Sequence, residues 1–363
     1  MLPDMVRRSD LPLFLLSMLF MQCAPAGMHT PDARSISPRI QNPPEPVYTE
    51  KAQYEAALAD WVRKAQSPIR FRLAGALQKQ WRELVHESNW AEYARRCTTA
   101  YQDDGQVTLT LVYRDYVRLC AAVRDASFRA SLTVDEQKVL DNLQKLTWEM
   151  LRPDMSDFEK LNVLHDAIVQ RACYDAEAGG DIADILYHGR GSCEAYSSML
   201  SVMLEIAGIP ARVVTGEADG APHAWNLVKL GHEWYHVDCT WDDPLINDGT
   251  RQILSHAYMC NSDAEMSTTH SWNRLSYPRT GLHAACYYRK KGLYFTEFKQ
   301  FWREAVAACE RGESRFEAYL TCYGSPAAFQ QQMGNSPPPR IPVRISWTGP
   351  ATAAGAVVLQ FER

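Results

Sequence analysis

Cys193, His223 and Asp238 follow one another within 46 residues, and these are the side-chain types that thiol catalysis requires. A thiolate attacks a carbonyl carbon, an imidazole moves the proton, and a carboxylate orients the imidazole. Taken singly, a cysteine is more often a core residue and an aspartate after a strand is more often a turn residue. Their order, and the glycine, tryptophan and threonine neighbours, instead predict a cysteine nucleophile with its base and its orienting acid.

The residues that follow Cys193 predict a half-buried helix. Apolar side chains recur from Tyr196 to Ala207 at the spacing i, i+3, i+4. Gly208 and Pro210 stand where a helix of this length ends. Cys193 then belongs to the first helical turn, where unpaired N–H groups and the helix dipole favour a thiolate.

The next pattern predicts a β-hairpin that carries both His223 and Asp238. If Leu230 pairs with Glu233 across a two-residue turn that starts at Gly231, the imidazole and the carboxylate become diagonal neighbours on one face. A shift of register by one residue would place them on opposite faces of the sheet. The geometry of the proposed site therefore depends on this turn.

Three short motifs carry a resemblance to a known family. Gly191-Ser-Cys193 at a helix start, His223-Ala-Trp-Asn on a strand and Asp238-Cys-Thr-Trp on the next strand resemble the catalytic core of the transglutaminase-like superfamily. The likeness covers roughly residues 150–280, and Met155-Ser-Asp-Phe-Glu-Lys-Leu-Asn-Val-Leu-His-Asp is similar to the lead-in helix of bacterial members related to kyphoscoliosis-type peptidases, as is Tyr174-Asp after it. The resemblance implies an α+β, papain-like core in which a helix bearing the cysteine packs on an antiparallel sheet bearing the histidine and the aspartate.

The same resemblance implies roles for the residues of the site. Cys193 would be the nucleophile, His223 the base and Asp238 the orienting acid. The Cys193 backbone N–H and one further donor would hold the oxyanion. Tyr187, six residues before the nucleophile, has the spacing of a side-chain donor in papain-like enzymes, or it is a buried aromatic residue. The two remaining candidates, Trp225 and Trp241, wall the site or pack in the core.

The sequence gives no reason to expect a metal or a cofactor. Asp242 and Asp243 read as a turn after the strand, and no further oxygen ligands recur at the spacing of a cation site. His236, His256 and His270 are likewise not spaced as a zinc-binding set. We therefore expect the chemistry to depend on protein groups alone.

The N-terminus predicts export. Arg7 and Arg8 precede an apolar run from Leu11 to Met21, which is too short to cross a bilayer, and small residues follow. Residues 1–26 are therefore interpreted as a signal peptide. Cys23 allows lipid anchoring as an alternative to plain secretion, and a cytoplasmic protein with an apolar start remains open. Residues 27–48 are rich in Pro and contain few apolar residues, which predicts a flexible linker.

The rest of the chain divides into three predicted parts. Residues 49–150 predict a mostly helical accessory domain with one strand at Gln106–Tyr113, residues 151–280 the catalytic core, and residues 281–363 a small α/β segment. Apart from Cys23 and Cys193, the chain has eight cysteines, an even number that is compatible with disulfides and also with free buried thiols. Cys309 and Cys322 are the local candidate pair for a disulfide.

Charge and composition narrow the classes of function. A net charge of -5 and a pI near 6.1 argue against a nucleic-acid partner. The leading hypothesis is an exported or lipid-anchored cysteine peptidase or amide hydrolase with a protein or peptide substrate. Two alternatives stay open: a protein-glutamine transamidase or other acyltransferase that uses the same triad, and a catalytically silent peptide-binding or scaffolding protein of the cell envelope. The sequence predicts no particular oligomeric state.

Overall fold

The computed structural model describes residues 45–86, 88, 90–246, 251–252, 254–281, 286–322, 326–335, 343–348 and 355–361. The predicted signal peptide, Cys23 and all but the last four residues of the predicted linker lie outside these residues. From Glu45 onward the chain forms one compact unit. Among the described residues, every helix is too short or too polar to cross a lipid bilayer.

The segment before residue 151 combines helices with a sheet that sequence patterns had largely missed. Only the strand at Gln106–Tyr113 was predicted, whereas three further strands pair with it directly or in series. Residues 76–86, within the part predicted to be mostly helical, form two short helices. The strands are β1 (Val47–Tyr48), β2 (Ile69–Leu73), β3 (Ala94–Tyr101) and β4 (Gln106–Tyr113), in the order β1-β2-β4-β3; the helices are α1 (Lys51–Arg63), α2 (Ala76–Lys79), α3 (Trp81–His86), α4 (Asp115–Arg124) and α5 (Val134–Met150), with 3-10 turns at Trp90–Glu92 and Phe128–Ser131.

The middle of the chain places a helical layer against an antiparallel sheet. Ser156 and Glu159 form a reciprocal capping box that starts the first of its helices, as a Ser-x-x-Glu pattern before an apolar run predicts. The helices are α6 (Asp157–Arg171), α7 (Ile182–His188), α8 (Cys193–Ile206) and α9 (Asp263–Met266), with a 3-10 turn at Arg274–Ser276; the strands are β5 (Cys173–Tyr174), β6 (Arg190–Gly191), β7 (Ala211–Ala218), β8 (Ala221–Leu230), β9 (Glu233–Val237), β10 (Leu245–Ile246), β11 (Arg251–Gln252), β12 (Met259–Asn261) and β13 (His270–Trp272).

The hairpin register that decides the site is confirmed. β8 and β9 are antiparallel neighbours in a five-stranded sheet of order β12-β9-β8-β7-β13. Leu230 pairs with Glu233, and the same register continues to the pair Asn226 and Val237. Gly231 starts the turn at a φ of 63°, a left-handed conformation that glycine adopts without a steric penalty.

Helix α8 is buried on all sides rather than half-buried as predicted. It packs against α4, α5, α6 and α7 on one side and against β7 and β8 on the other. Nearly every side chain from Ala195 to Ile206 is therefore removed from water, which suits its almost continuous apolar sequence. The Asn226 amide of β8 donates to the Ser197 carbonyl at 3.0 Å and to Ser201 Oγ at 2.9 Å. These two hydrogen bonds fix the helix against the sheet.

The C-terminal segment forms a further four-stranded sheet with its own apolar cluster. The local disulfide candidate is corrected: Cys309 and Cys322 are both free thiols, and each packs as a small apolar group in or against this cluster. The fold class is confirmed as α+β. The elements are α10 (Cys286–Lys291), β14 (Tyr294–Phe295), α11 (Phe298–Glu310), β15 (Arg315–Leu320), α12 (Pro326–Gly334), β16 (Val343–Thr348) and β17 (Gly355–Phe361), with strand order β14-β15-β17-β16.

Candidate active site

Cys193 is the first residue of α8, as the sequence predicts. Gly191 is required just before it, because a Cβ at this position would lie 2.7 Å from Ile185 Cγ1 and 2.9 Å from Ala195 Cβ. The N-cap residue Ser192 does not cap the helix with its side chain, since its hydroxyl donates to the Gly179 carbonyl at 3.3 Å. The half-buried thiol therefore lies at a helix N-terminus whose N–H groups favour negative charge.

His223 connects the thiol with the carboxylate. Its Nε2 is 2.8 Å from Asp238 Oδ2, and the Cys193 side chain is a further hydrogen-bond partner of the ring. Because Nε2 faces the carboxylate, we infer that Nδ1 faces the sulfur. The structure therefore brings together the three side chains that the sequence predicted to form the triad.

The electrostatic environment favours a protonated His223. Burial by itself lowers the pKa of this imidazole, but the Asp238 carboxylate and the Cys193 side chain outweigh burial and raise the pKa to about 10. Burial likewise raises the pKa of Asp238, and the two imidazoles of His223 and His270 outweigh it, so that the pKa lies well below its ordinary value. Both shifts favour a carboxylate paired with an imidazolium at neutral pH.

Asp238 accepts hydrogen bonds on both of its oxygens. Oδ1 accepts from the backbone N–H of Thr240 at 3.0 Å and of Trp241 at 3.2 Å. Oδ2 lies 2.8 Å from His223 Nε2 and 3.1 Å from His270 Nε2. Sequence reasoning missed His270, because it lies 32 residues after Asp238 and reaches it only through the pairing of β13 with β7.

The two predicted tryptophans both lie against the His223 ring. Trp225 stacks on it, with ring centres 5.9 Å apart, and Trp241 meets it edge-on at 6.3 Å. Trp225 is itself almost fully buried, and its Nε1 donates to His236 Nδ1 at 2.9 Å. His236 Nε2 in turn lies 3.0 Å from Asp263 Oδ1. Trp225 therefore serves the core and the site at once.

The structure does not place Tyr187 against the triad in any described contact. Half of its side chain is exposed, and its hydroxyl accepts a hydrogen bond from Asn142 Nδ2 at 3.0 Å. The predicted oxyanion role of Tyr187 therefore has no geometric support. Tyr174, which the resemblance mentions but the predicted site omits, pairs through β5 with Gly191, two residues before the nucleophile. Burial raises the pKa of Tyr174, and the charges of Cys193, Asp175 and Asp238 raise it further.

Glu194, the residue after the nucleophile, forms ion pairs with basic side chains of the N-terminal segment. Its carboxylate pairs with Arg114 and lies 4.0 Å from an Arg95 nitrogen. Arg95 also pairs with Asp181, the residue before α7. These ion pairs connect the start of α8 to the N-terminal segment.

A second buried polar cluster connects α6 with the C-terminal sheet. His165 lies 3.1 Å from Asp242 through Nε2 and 3.0 Å from Asp166 through Nδ1. His256 lies 2.9 Å from the same Asp166 oxygen through Nε2 and 2.6 Å from Glu317 through Nδ1. Asp242 belongs to the turn that follows Asp238, so this cluster supports the chain segment that carries the acid of the triad. The turn was predicted, but the burial of Asp242 was not.

Two groups of described side chains have potential ligand atoms within 4.8 Å of one another. In both groups an aspartate lies between two imidazoles, and the same atoms form hydrogen bonds between imidazole and carboxylate. Hydrogen bonding thus accounts for both arrangements, and the absence of a metal requirement stays a prediction. The groups are His165, Asp166 and His256, and His223, Asp238 and His270.

The second buried cluster should lose stability at both ends of the pH range, through Glu317 in acid and through His165 in alkali. The pKa of Glu317 is lowered to about 2, against burial, by His256 and Arg315. Its contribution is therefore present above the unfolded pKa near 4.5 and is lost as the pH falls towards 2. The pKa of His165 is raised to about 9, against burial, by Asp166 and Asp242. Its contribution is present below about 6.5 and is lost as the pH rises through 9.

The measurement is the denaturant midpoint as a function of pH. Between pH 6.5 and 9 the unmodified chain should lose more free energy of unfolding than His165→Gln, by on the order of 3 kcal/mol. The variant should be less stable at every pH because it leaves buried carboxylates unpaired. His188→Gln, a change at an exposed histidine on α7, is the matched control and should follow the unmodified chain. An unchanged alkaline loss in His165→Gln would contradict a charged His165.

Part of this chain is similar to known proteins. The family model described as Transglutaminase-like superfamily matches residues 144–239. Kyphoscoliosis peptidase of Mus musculus is 28% identical over 134 residues, which are 32% of this chain and 20% of the relative. Its Homo sapiens counterpart is 26% identical over 130 residues, which are 31% and 20%. The chain thus spans about a fifth of the length of the curated relatives it matches.

Among solved structures, the periplasmic domain of TgpA from Pseudomonas aeruginosa is similar to this chain at 18% identity. The likeness covers 40% of this chain and 62% of that chain, with a TM-score of 0.23. The residues matched by the family model include all three members of the triad, Cys193, His223 and Asp238. The segment that carries the triad, residues 144–239, is therefore similar to the transglutaminase-like superfamily.

Proposed function

We propose that this chain is an exported thiol hydrolase that cleaves peptide or side-chain amide bonds through a thioester at Cys193. The observation that carries the proposal is the position of His223, which hydrogen-bonds Asp238 at 2.8 Å and has the Cys193 side chain as its other partner. A silent binding protein would not need all three groups in this arrangement. The mouse and human relatives are named peptidases, which supports hydrolysis as the reaction.

The mechanism follows from the charges of the site. His223, whose pKa is raised to about 10, carries a proton at neutral pH, and its positive charge together with the N-terminus of α8 favours reaction of Cys193 as a thiolate. The sulfur bonds to the carbonyl carbon, and the carbonyl electrons move to oxygen, where the Cys193 N–H at the start of α8 donates to the oxyanion.

Breakdown of this intermediate completes the first half of the reaction. The oxyanion re-forms the carbonyl, the C–N bond breaks, and His223 gives its proton to the leaving amine. The acyl group is then a thioester on Cys193. His223 next takes a proton from water, whose oxygen attacks the thioester and releases the acid and the thiolate. Asp238 stays ionised throughout and keeps Nε2 of the imidazole in place.

Export is proposed from the N-terminal sequence, where Arg7 and Arg8 precede the apolar run that ends at Met21. The tests are fractionation of bacterial cells that express the full chain and the intact mass of the product. A shortened product outside the cytoplasm supports export, and a membrane-bound product released by Cys23→Ser identifies a lipid anchor. A full-length product in the cytoplasm contradicts export.

The activity is tested by giving the purified chain casein and a library of amide peptides, with and without a labelled amine. Cleavage that is absent from Cys193→Ala supports the proposed hydrolase. Incorporation of the amine in place of cleavage would instead identify a transamidase, because an amine and water compete for the same thioester. The proposal of an activated thiol fails if Cys193 reacts with iodoacetamide at pH 7 no faster than Cys97, a partly exposed thiol on β3.

A further inference from the structure

A second imidazole, that of His270, contacts the Asp238 carboxylate in addition to the His223 ring. His270 Nε2 lies 3.1 Å from Asp238 Oδ2, the same oxygen that lies 2.8 Å from His223 Nε2. Both His270 and Asp238 are almost completely removed from water. The His270 ring has to present an N–H group to Asp238 Oδ2. In the other neutral tautomer, the lone pair of Nε2 would face a lone pair of the carboxylate oxygen.

The surroundings of His270 are compatible with a neutral tautomer that donates from Nε2. Its Nδ1 is 2.8 Å from Thr269 Oγ1, and Thr269 is also hydrogen-bonded by the Tyr258 side chain. In one arrangement that satisfies these contacts, the Thr269 hydroxyl donates to His270 Nδ1 and His270 Nε2–H donates to Asp238 Oδ2. A neutral imidazole satisfies every atom of this arrangement.

We propose that His270 is a positioning residue of the triad, a neutral imidazole fixed by Thr269 that holds Asp238 Oδ2 against His223. This inference rests on the proposed function of the triad. A carboxylate has about four acceptor positions, and the donors of Asp238 are two backbone N–H groups and two imidazoles. With all four positions filled the carboxylate cannot rotate, so its distance to His223 is set before substrate binds.

Packing alone is the competing explanation, because the His270 ring also lies 4.7 Å from the ring centre of Trp241 and 5.0 Å from that of Trp225. Two substitutions of similar volume separate the explanations. His270→Gln keeps an N–H donor at nearly the position of Nε2, whereas His270→Leu keeps the volume and removes the donor. Thr269→Val removes the hydroxyl that fixes the tautomer and leaves the ring in place.

The experiment uses the full chain and two measurements beside the denaturant midpoint: the pH profile of Cys193 alkylation, and kcat and KM for an amide substrate. We expect His270→Leu to lower kcat by about 10- to 100-fold with little change in KM, since a misplaced orienting group costs about this much. Alkylation at pH 7 should fall with kcat. His270→Gln should stay within a few-fold of the unmodified chain, and Thr269→Val should lie between the two.

The inference is overturned if His270→Leu and His270→Gln lose stability together while the pH profile of alkylation stays unchanged. If His270→Leu does not fold, Thr269→Val and His270→Gln still test the inference. Equal activity of Thr269→Val and the unmodified chain also overturns the inference. Failure of the proposed function looks different: Cys193 of the unmodified chain would then label no faster than Cys97, before any change at His270.

Discussion

Replacing His223 with Gln is expected to lower the alkylation rate of Cys193 at pH 7 by about 10- to 100-fold, and amide turnover by about 100- to 10,000-fold. The imidazolium that accompanies the thiolate is lost, and so is the proton that the leaving amine needs. The rate of amide turnover should fall more than the rate of alkylation, because alkylation requires only the nucleophile. In the unmodified chain the ion pair should persist until the ring loses its proton near pH 10.

The measurement is mass spectrometry of the Cys193 peptide after timed exposure to iodoacetamide, over a range of pH values. Cys97 serves as the reference thiol in the same molecule, and burial raises its pKa above the ordinary value. His188→Gln is the control for loss of an imidazole, since this side chain is exposed on α7. Equal labelling of Cys193 in His223→Gln and the unmodified chain would be incompatible with an activated thiol.

Replacing Asp238 with Asn is expected to cost both activity and stability. The amide has one oxygen, whereas the site offers donors on two sides: His223 and His270 at Oδ2, and backbone N–H groups at Oδ1. In either orientation the NH₂ group of Asn faces donors. We expect turnover to fall by about 1,000- to 10,000-fold because the tautomer of His223 is no longer fixed. The free energy of unfolding should fall by about 3–5 kcal/mol, as when one partner of a buried charge pair is removed.

The stability change has a predictable pH dependence. The pKa of Asp238 is lowered in the folded state, so its contribution is present above the unfolded pKa near 4 and is lost as the pH falls below that value. The difference in denaturant midpoint between Asp238→Asn and the unmodified chain should therefore shrink in acid. Asp243→Asn is the matched control in the same buried turn, because an amide oxygen can still accept from the Tyr196 hydroxyl. An equal loss in both variants would refute a special role for Asp238.

The members of the triad could be predicted from sequence because each belongs to a short local pattern. Gly191 before Cys193 predicts the turn into α8, and the register of the hairpin follows from the two-residue turn at Gly231. A period of two residues along a strand then places His223 and Asp238 on the same face. The observed pairing of Leu230 with Glu233 confirms the predicted register.

Two other predicted features, one near the site and one in the C-terminal segment, depend on contacts between distant segments. Tyr187 has the sequence spacing of an oxyanion donor, but its helix directs the hydroxyl to Asn142. Cys309 and Cys322 are close in sequence, yet they remain free thiols that pack with the C-terminal apolar cluster. Spacing along the chain does not determine either outcome, because each depends on how an element is packed against others.

The sequence by itself identified the candidate nucleophile, base and acid, and the local elements that carry them. Only the tertiary structure decided which side chains hold that acid in place, since His270 and the cluster of His165 and Asp242 come together through strand and helix packing. The physical reason is that a hairpin turn or a helix start is set by backbone preferences over a few residues. A buried carboxylate instead requires donors from wherever the fold places them.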